Sequence, residues 1–395
     1  MFSKLMNYGR NILLLSVIFA LTSLATNLIS PLWPLYIRSL GASMTELGFV
    51  FSLSNAISAV LQIPSGMISD KYGRRELHIV GTLLGVFPPL LYIFAKGWLD
   101  LIPWVILSGV ATGLYLPIRW AIVADDSTAQ TRAMAYSWIS VAMFIGPTVA
   151  PLLGGILADM YGIQMPFLAC FALMGLSFPL SMLLRETRRK NLPNDSIDAA
   201  KNEYNSSKFL SVALIFTLIN VLQGINVGIF SPITPVFAKD QFSLDLASVG
   251  LLYVVGLGFA SLVVQLPGAW LANRYDRKKL LAWMFVLSSP FFSLFALSRN
   301  ITELFVFMFL SNAIFNASFP VFQDLLMDLT PPAKWGFMHG ISLTTFWVGM
   351  AIGSTLGGVL WDMFGMFIPY HVSALAMLLS VVPTLFLKDP RHSKD

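Results

Sequence analysis

Apolar positions in this chain come in long unbroken blocks, without the alternation of a half-buried strand or the narrow stripe of a surface helix. At about 1.5 Å of rise per residue, blocks of this length cross a hydrocarbon core of roughly 30 Å. They predict spans at 11–37, 45–69, 77–95, 99–124, 133–157, 165–184, 210–238, 247–273, 280–297, 301–329, 337–360 and 367–387. One long polar stretch, Arg185 to Lys208, reads as a linker between an N-terminal bundle (1–184, with the linker at 185–208) and a C-terminal bundle (209–395). The predicted fold class is all-α integral membrane, with twelve transmembrane helices in two six-helix bundles.

Composition supports lipid as the solvent. Hydrophobic residues make up 56% and charged residues 11% of the chain, against roughly a quarter charged in a soluble domain. The lone cysteine, Cys170, lies in an apolar run, which excludes a disulfide framework and a cysteine metal site. The first run is too long for a signal-peptide core and lacks a cleavage pattern, so a retained span is expected. The net charge of +5 does not point to nucleic acid, because the basic residues flank spans and build no recognition helix.

The same basic residues orient the chain. With the N-terminus inside, Lys4, Arg10, Lys71, Arg74, Arg75, Arg132, Arg274, Arg277, Lys278, Lys279, Lys334 and the basic linker all fall on one side. The other side keeps only Arg38, Lys96, Lys239 and Arg299. Positive-inside reasoning then puts both termini in the cytoplasm, with the cell (plasma) membrane as the expected location.

A shift of about 202 residues superposes the halves. Ser30-Pro31-x-x-Pro34 meets Ser231-Pro232-x-x-Pro235, and Gln62-x-Pro64 meets Gln265-x-Pro267. The basic loop Asp70–Arg75 meets Asn273–Lys278, and Gly154-Gly155-x-x-x-Asp159 meets Gly357-Gly358-x-x-x-Asp362. An even number of spans per repeat gives two like-oriented, pseudo-symmetric bundles, the arrangement expected of alternating access.

Gly66-Met67-Ile68-Ser69-Asp70-Lys71-Tyr72-Gly73-Arg74-Arg75 resembles the G-x-x-x-D-[RK]-x-G-R-[RK] signature of the major facilitator superfamily. Gly66 is expected to allow close helix approach, and Asp70 to meet a helix N-terminus or an arginine. The resemblance implies that this loop, through Asp70 and Arg74, latches the cytoplasmic side in the outward-facing state. Asn273 and Asp276 break the pattern in the second copy. In the fifth span Gly146-x-x-x-Ala150-Pro151-x-x-Gly154-Gly155 resembles the motif of the superfamily's drug-efflux antiporters, and Gly349-x-x-x-Gly353-Ser354-x-x-Gly357-Gly358 repeats it. Small residues at this spacing make a groove for a neighbouring helix, and Pro151 frees a carbonyl. One departure matters: Gly109 stands where such antiporters commonly carry an arginine, and the first span has no carboxylate. The usual route of proton coupling lacks its residues.

Ionisable groups at membrane depth are functional candidates. Arg119 and Asp324 lie at similar depth in the fourth and tenth spans, and are expected to approach each other as a gate pair or to anchor a charged substrate. Polar stripes on single helical faces add Thr26 and Asn27, with Tyr36 beyond, in the first span, Tyr115 in the fourth, Asn220, Gln223 and Asn226 in the seventh, and Asn312 and Asn316 in the tenth. Their expected meeting place is a midplane substrate cavity. The leading expectation is a monomeric secondary transporter without a cofactor, either a uniporter or an antiporter coupled to a proton or other ion gradient, that exports amphipathic or drug-like small molecules. Uptake of a sugar, organic acid or other metabolite is the alternative. His78, His339, His371 and His392 are scattered and no nucleotide loop occurs, so no enzyme is expected and no metal site.

Overall fold

The computed structural model describes residues 9–127, 132–187, 206–331 and 334–391, so most of the expected linker, 188–205, lies outside the described residues. Helix α1 is Arg10–Ile29, continued after a turn by Trp33–Ser39. It is followed by α2 (Met44–Tyr72), α3 (Arg74–Tyr92), α4 (Ile102–Asp125), α5 (Arg132–Tyr161) and α6 (Met165–Met182). Next come α7 (Ser206–Phe242), α8 (Leu246–Arg274, with a π-helical turn at Val254–Phe259), α9 (Arg277–Ala296) and α10 (Ile301–Asp328). Last are α11 (Trp335–Phe364) and α12 (Ile368–Leu379, continued by Val381–Leu385). No strand occurs among the described residues.

Eleven of these segments are long and apolar enough to cross a membrane. The remaining one, α3, is 19 residues long and opens on Arg74, Arg75, Glu76 and His78, which dilute its apolar character. Helix starts follow local rules. Ser43 and Glu46 form a capping box on α2, Asp245 caps α8, and Asn300 caps α10. Proline sits in the first turn of α4, α6 and α12, where its missing N–H is not needed. Outward-facing apolar side chains such as Leu266, 81% exposed, and Val60, 71% exposed, suit lipid contact rather than water.

The chain divides into two compact units. One comprises Met1–Lys190 with Thr234–Val254, the other Asn191–Ile233 with Val255–Asp395. In the first, α1 packs against α5 and α6, and α4 lies between α2 and α3. Ile12, Leu15, Ile18 and Phe19 of α1 form a core with Ile118, Ile122 and Val123 of α4 and Ile139 of α5. In the second, α10 packs on α8 and α9, and α9 on α12.

The small-residue motifs act as close contacts. A Cβ added at Gly146 would lie 2.1 Å from Ser23 Oγ, and one at Gly154 2.0 Å from Leu28 O, so α5 rides directly on the α1 backbone. One at Gly155 would lie 2.2 Å from Leu246 O, and one at Gly250 2.2 Å from Pro151 O, so the first turns of α8 dock on α5 in the same way. The carboxylate of Asp159 accepts the N–H of Leu246 at 3.2 Å and of Ala247 at 2.8 Å, two free donors of that helix start. In the second unit Gly353 and Gly357 meet Ile225 and Ile229 of α7, and Gly358 is buried. Gly66 departs from expectation: nothing lies within 4 Å of its added Cβ, so close helix approach is not its role in this structure.

Candidate functional site

The signature loop builds an ionic clamp at the α2–α3 turn. Gly73 joins the helices at φ +112°, a backbone region closed to other residues, and an added Cβ would lie 2.7 Å from Glu186 Oε2. That space is taken because Glu186 accepts the N–H groups of Arg74 and Arg75, both at 3.1 Å, capping α3 from beyond the end of α6. Arg74 forms ion pairs with Asp125 at the end of α4, 2.8 Å, and with Asp70, 3.2 Å. Arg75 donates to the carbonyls of Leu184 and Met182 at 2.7 and 2.8 Å. Asp70 keeps its side chain 67% exposed and bonds Arg74 rather than a helix N-terminus among the described residues.

A pocket of about 310 Å³ beside this clamp is lined by Arg10, Asn11, Asp125, Asp126, Arg185 and Glu186 among others. Burial first, then the neighbouring Asp125 charge, lifts the Asp126 carboxyl above its ordinary range.

The second copy repeats the clamp with different parts. Asp276 stands at the glycine position and caps Lys279 N–H at 3.0 Å. Arg277, the counterpart of Arg74, is fully buried and donates to Asp324 at 2.9 Å, Asp328 at 2.7 Å and, through Nε and Nη2, to Asp389. Asp389 also accepts Arg277 N–H at 2.8 Å, as Glu186 does for Arg74. Arg391 closes the outer side on Asp324 and Asp328, both at 3.0 Å. Burial alone would raise Asp389, but the bonds from Arg277 hold it well below the usual carboxylate range.

Arg119 and Asp324, expected to approach each other, each have partners within their own unit. Asp324 belongs to the Arg277 clamp, and Arg119, 2% exposed, is held within the first unit. Its Nη1 donates to Thr22 Oγ1 at 2.9 Å and its Nε to His78 Nε2 at 3.1 Å. The guanidinium lies 4.2 Å from the Tyr115 ring centroid and 5.0 Å from that of Phe19.

The other stripe residues divide between two roles. Thr26 is exposed and bonds back to Thr22 O at 2.9 Å, and Asn27 is half-buried and bonds Ser23 O at 2.9 Å. Asn312 and Asn316 likewise bond back to Met308 O and Asn312 O. These side chains bond back to carbonyls of their own helix; Thr26 is exposed, whereas Asn312 is buried. Tyr36 is instead an internal tie: it is 3% exposed, donates to Tyr92 O at 2.8 Å and packs among Trp33, Tyr92 and Phe167. Asn226, fully buried, bonds Ser373 O and Oγ at 3.0 and 2.8 Å, and Asn220 bonds Ser342 Oγ at 2.9 Å, tying α7 to α12 and α11. Gln223 keeps a buried Nε2 without a partner.

Sequence reasoning missed Glu186, Asp389 and Arg391, which lie outside the spans. The repeat carried the signal: the shift that joins Asp70 to Asn273 also joins Glu186 to Asp389 and Asp125 to Asp328. The departure at Gly109 now has a cause, since a Cβ there would lie 2.9 Å from Ser54 O and 3.0 Å from Ile57 Cβ, leaving no room for an arginine.

Two helix sets of repeated design, each with a basic clamp at one end and intramembrane polar groups, define a polytopic membrane transporter rather than an enzyme. The family model of the Major Facilitator Superfamily matches residues 15–221 and 216–395, and the chain belongs to that superfamily. It is 26% identical over 378 residues to the uncharacterized MFS-type transporter MJ1560 of Methanocaldococcus jannaschii, covering 93% of this chain and 95% of that one. It is 23% identical to the multi-drug resistance efflux pump PmrA of Streptococcus pneumoniae, with 91% of each covered. It is 25% identical to the multidrug resistance protein MdtG of Proteus mirabilis, with 92% of each covered. Among solved structures, a D-xylose–proton symporter superposes with a TM-score of 0.77 at 15% identity, covering 95% of this chain and 97% of that one, and so shares the fold.

Proposed function

We propose that this protein exports amphipathic, drug-like compounds by alternating access, its two sequence repeats moving as the working bodies, as a monomer in the plasma membrane with both termini in the cytoplasm. The observation that carries this reading is the glycine seam of α5. The antiporter-like motif places Gly146 and Gly154 on α1 and Gly155 on the first turn of α8, with Asp159 capping that helix start. Relatives named as multidrug efflux pumps support the same direction. Small residues at a helix crossing allow main chains to meet and part.

A proton gradient is the proposed energy source. Gly109 leaves no room for the customary arginine, so His78, the titratable side chain that accepts from Arg119, becomes the group through which coupling would act. Purified protein in liposomes, given an imposed pH gradient and a panel of cationic, neutral and anionic aromatic solutes, tests this. Accumulation that follows the gradient is expected. Transport of a sugar or organic acid with no movement of any amphipathic compound would overturn the efflux reading.

A further inference from the structure

Arg119 is a buried cation to which the described residues offer neutral acceptors and no anion. A guanidinium cannot shed its proton at any working pH, and a charge at this depth needs a partner of opposite sign or a route to water. Among the described residues it has no carboxylate partner; Thr22 and His78 are neutral acceptors, and the faces of Tyr115 and Phe19 offset part of the charge. Nη2 has no hydrogen-bond partner among the described residues. Because His78 accepts through Nε2, its proton sits on Nδ1, and that atom is also buried and unpartnered. One turn further along α3, the Thr82 hydroxyl is buried and unpartnered too. The cluster thus holds a positive charge and unused donors on adjoining turns, the chemistry of a site waiting for an acceptor. On α1 the exposed Thr26 lies one turn along from Thr22 and bonds back to its carbonyl, so the same helical face carries polar groups out to the surface.

We propose that Arg119 is an anion-binding residue whose Nη2 receives the carboxylate-type headgroup of an organic monoanion, so that transported compounds include amphipathic anions. Thr22 and His78 are positioning residues that aim the guanidinium. This rests on the transport reading above and names a substrate class for it.

Equilibrium dialysis of the purified full-length protein with radiolabelled benzoate, benzamide and benzylammonium tests the site. Wild type is expected to prefer benzoate over benzamide by roughly tenfold or more, the worth of a charge-assisted hydrogen bond out of water. Arg119→Gln removes that preference, and Arg119→Lys restores part of it. His78→Phe weakens benzoate binding about threefold to tenfold by loosening the aim, and His78→Gln, which keeps an acceptor, recovers it. Should Arg119→Gln fail to stay monodisperse, Thr22→Val serves, with a similar loss expected. Equal binding of benzoate and benzamide by wild type, or a preference that survives Arg119→Gln, overturns the proposal. Chloride displacing benzoate at equal concentration overturns its organic part, leaving an inorganic-anion site. Liposome uptake with the same preparations separates the two ideas: benzoate binding without transport of any solute sinks the transport reading alone, and transport of benzoate indifferent to Arg119→Gln sinks the site alone.

Discussion

The two ionic clamps share a plan and differ in depth. In the first, Arg74 is partly exposed, its partner Asp70 is largely in solvent, and a glycine with positive φ lets Glu186 reach the α3 start. In the second, Arg277 is fully enclosed by Asp324, Asp328 and Asp389, and the glycine is replaced by a capping aspartate. A partly exposed pair in high dielectric is worth little and exchanges partners readily. A buried one resists loss of either member, because the survivor is left charged and dry. The same repeat has therefore produced a clamp suited to rearrangement in one half and a fixed anchor in the other, which fits the intact signature residing in the first copy and its decay in the second.

Removing the arginines should expose the largest difference. Arg277→Met is expected to cost about 3–5 kcal/mol by leaving the buried Asp389 carboxylate without its cation, while Asp324 and Asp328 keep Arg391. Arg74→Met should cost about 1 kcal/mol or less. Thermal or urea melts of the two variants in detergent compare them, and equal losses would dissolve the distinction. Next in size, Gly73→Ala forces a strained backbone and a clash with Glu186, a loss of about 2 kcal/mol. The matching change Asp276→Gly should cost only a few tenths, about 0.3 kcal/mol, since glycine also starts helices well. Were Gly73→Ala tolerated, Glu186 would not be the cap that fixes this turn.

The smallest effect is one of sign with pH. Asp389 is depressed in the folded protein, so its stabilisation is present above the ordinary carboxylate pKa of about 4 and is lost as pH falls below that range. Asp126 is raised, so the folded state takes up its proton first and gains stability as pH falls through that raised value. Melting curves of Asp389→Asn should lose the acid-side decline, and those of Asp126→Asn the acid-side gain. Parallel slopes in the two variants would contradict the assignment.

Spans, repeat and clamp loop were legible in the residues because each rests on a local or periodic signal. Lipid demands long apolar runs, duplication leaves a constant offset, and Gly73 and Asp70 sit in one short motif. Which neighbour a polar side chain finds was not legible. Periodicity gives the face of a helix but not the partner opposite, and it carries no sign of His78 and Thr22 beside Arg119 or of Arg277 beside Asp324. Nor does it carry the bond from Tyr36 to Tyr92 O or from Asn226 to Ser373, each inside one helix set. Glu186 and Asp389 escaped because attention to membrane depth passes over the segments just beyond it.

Where α8 begins, Gly155 and Gly250 let carbonyls and Cα atoms of two helices touch with no side chain between them. Such a joint has no rotamers to reset when it separates. Under the proposed alternating access, parting would cost the two N–H bonds to Asp159 and a rigid displacement of whole helices, so its speed would be governed by how fast those rods travel rather than by repacking of an interior.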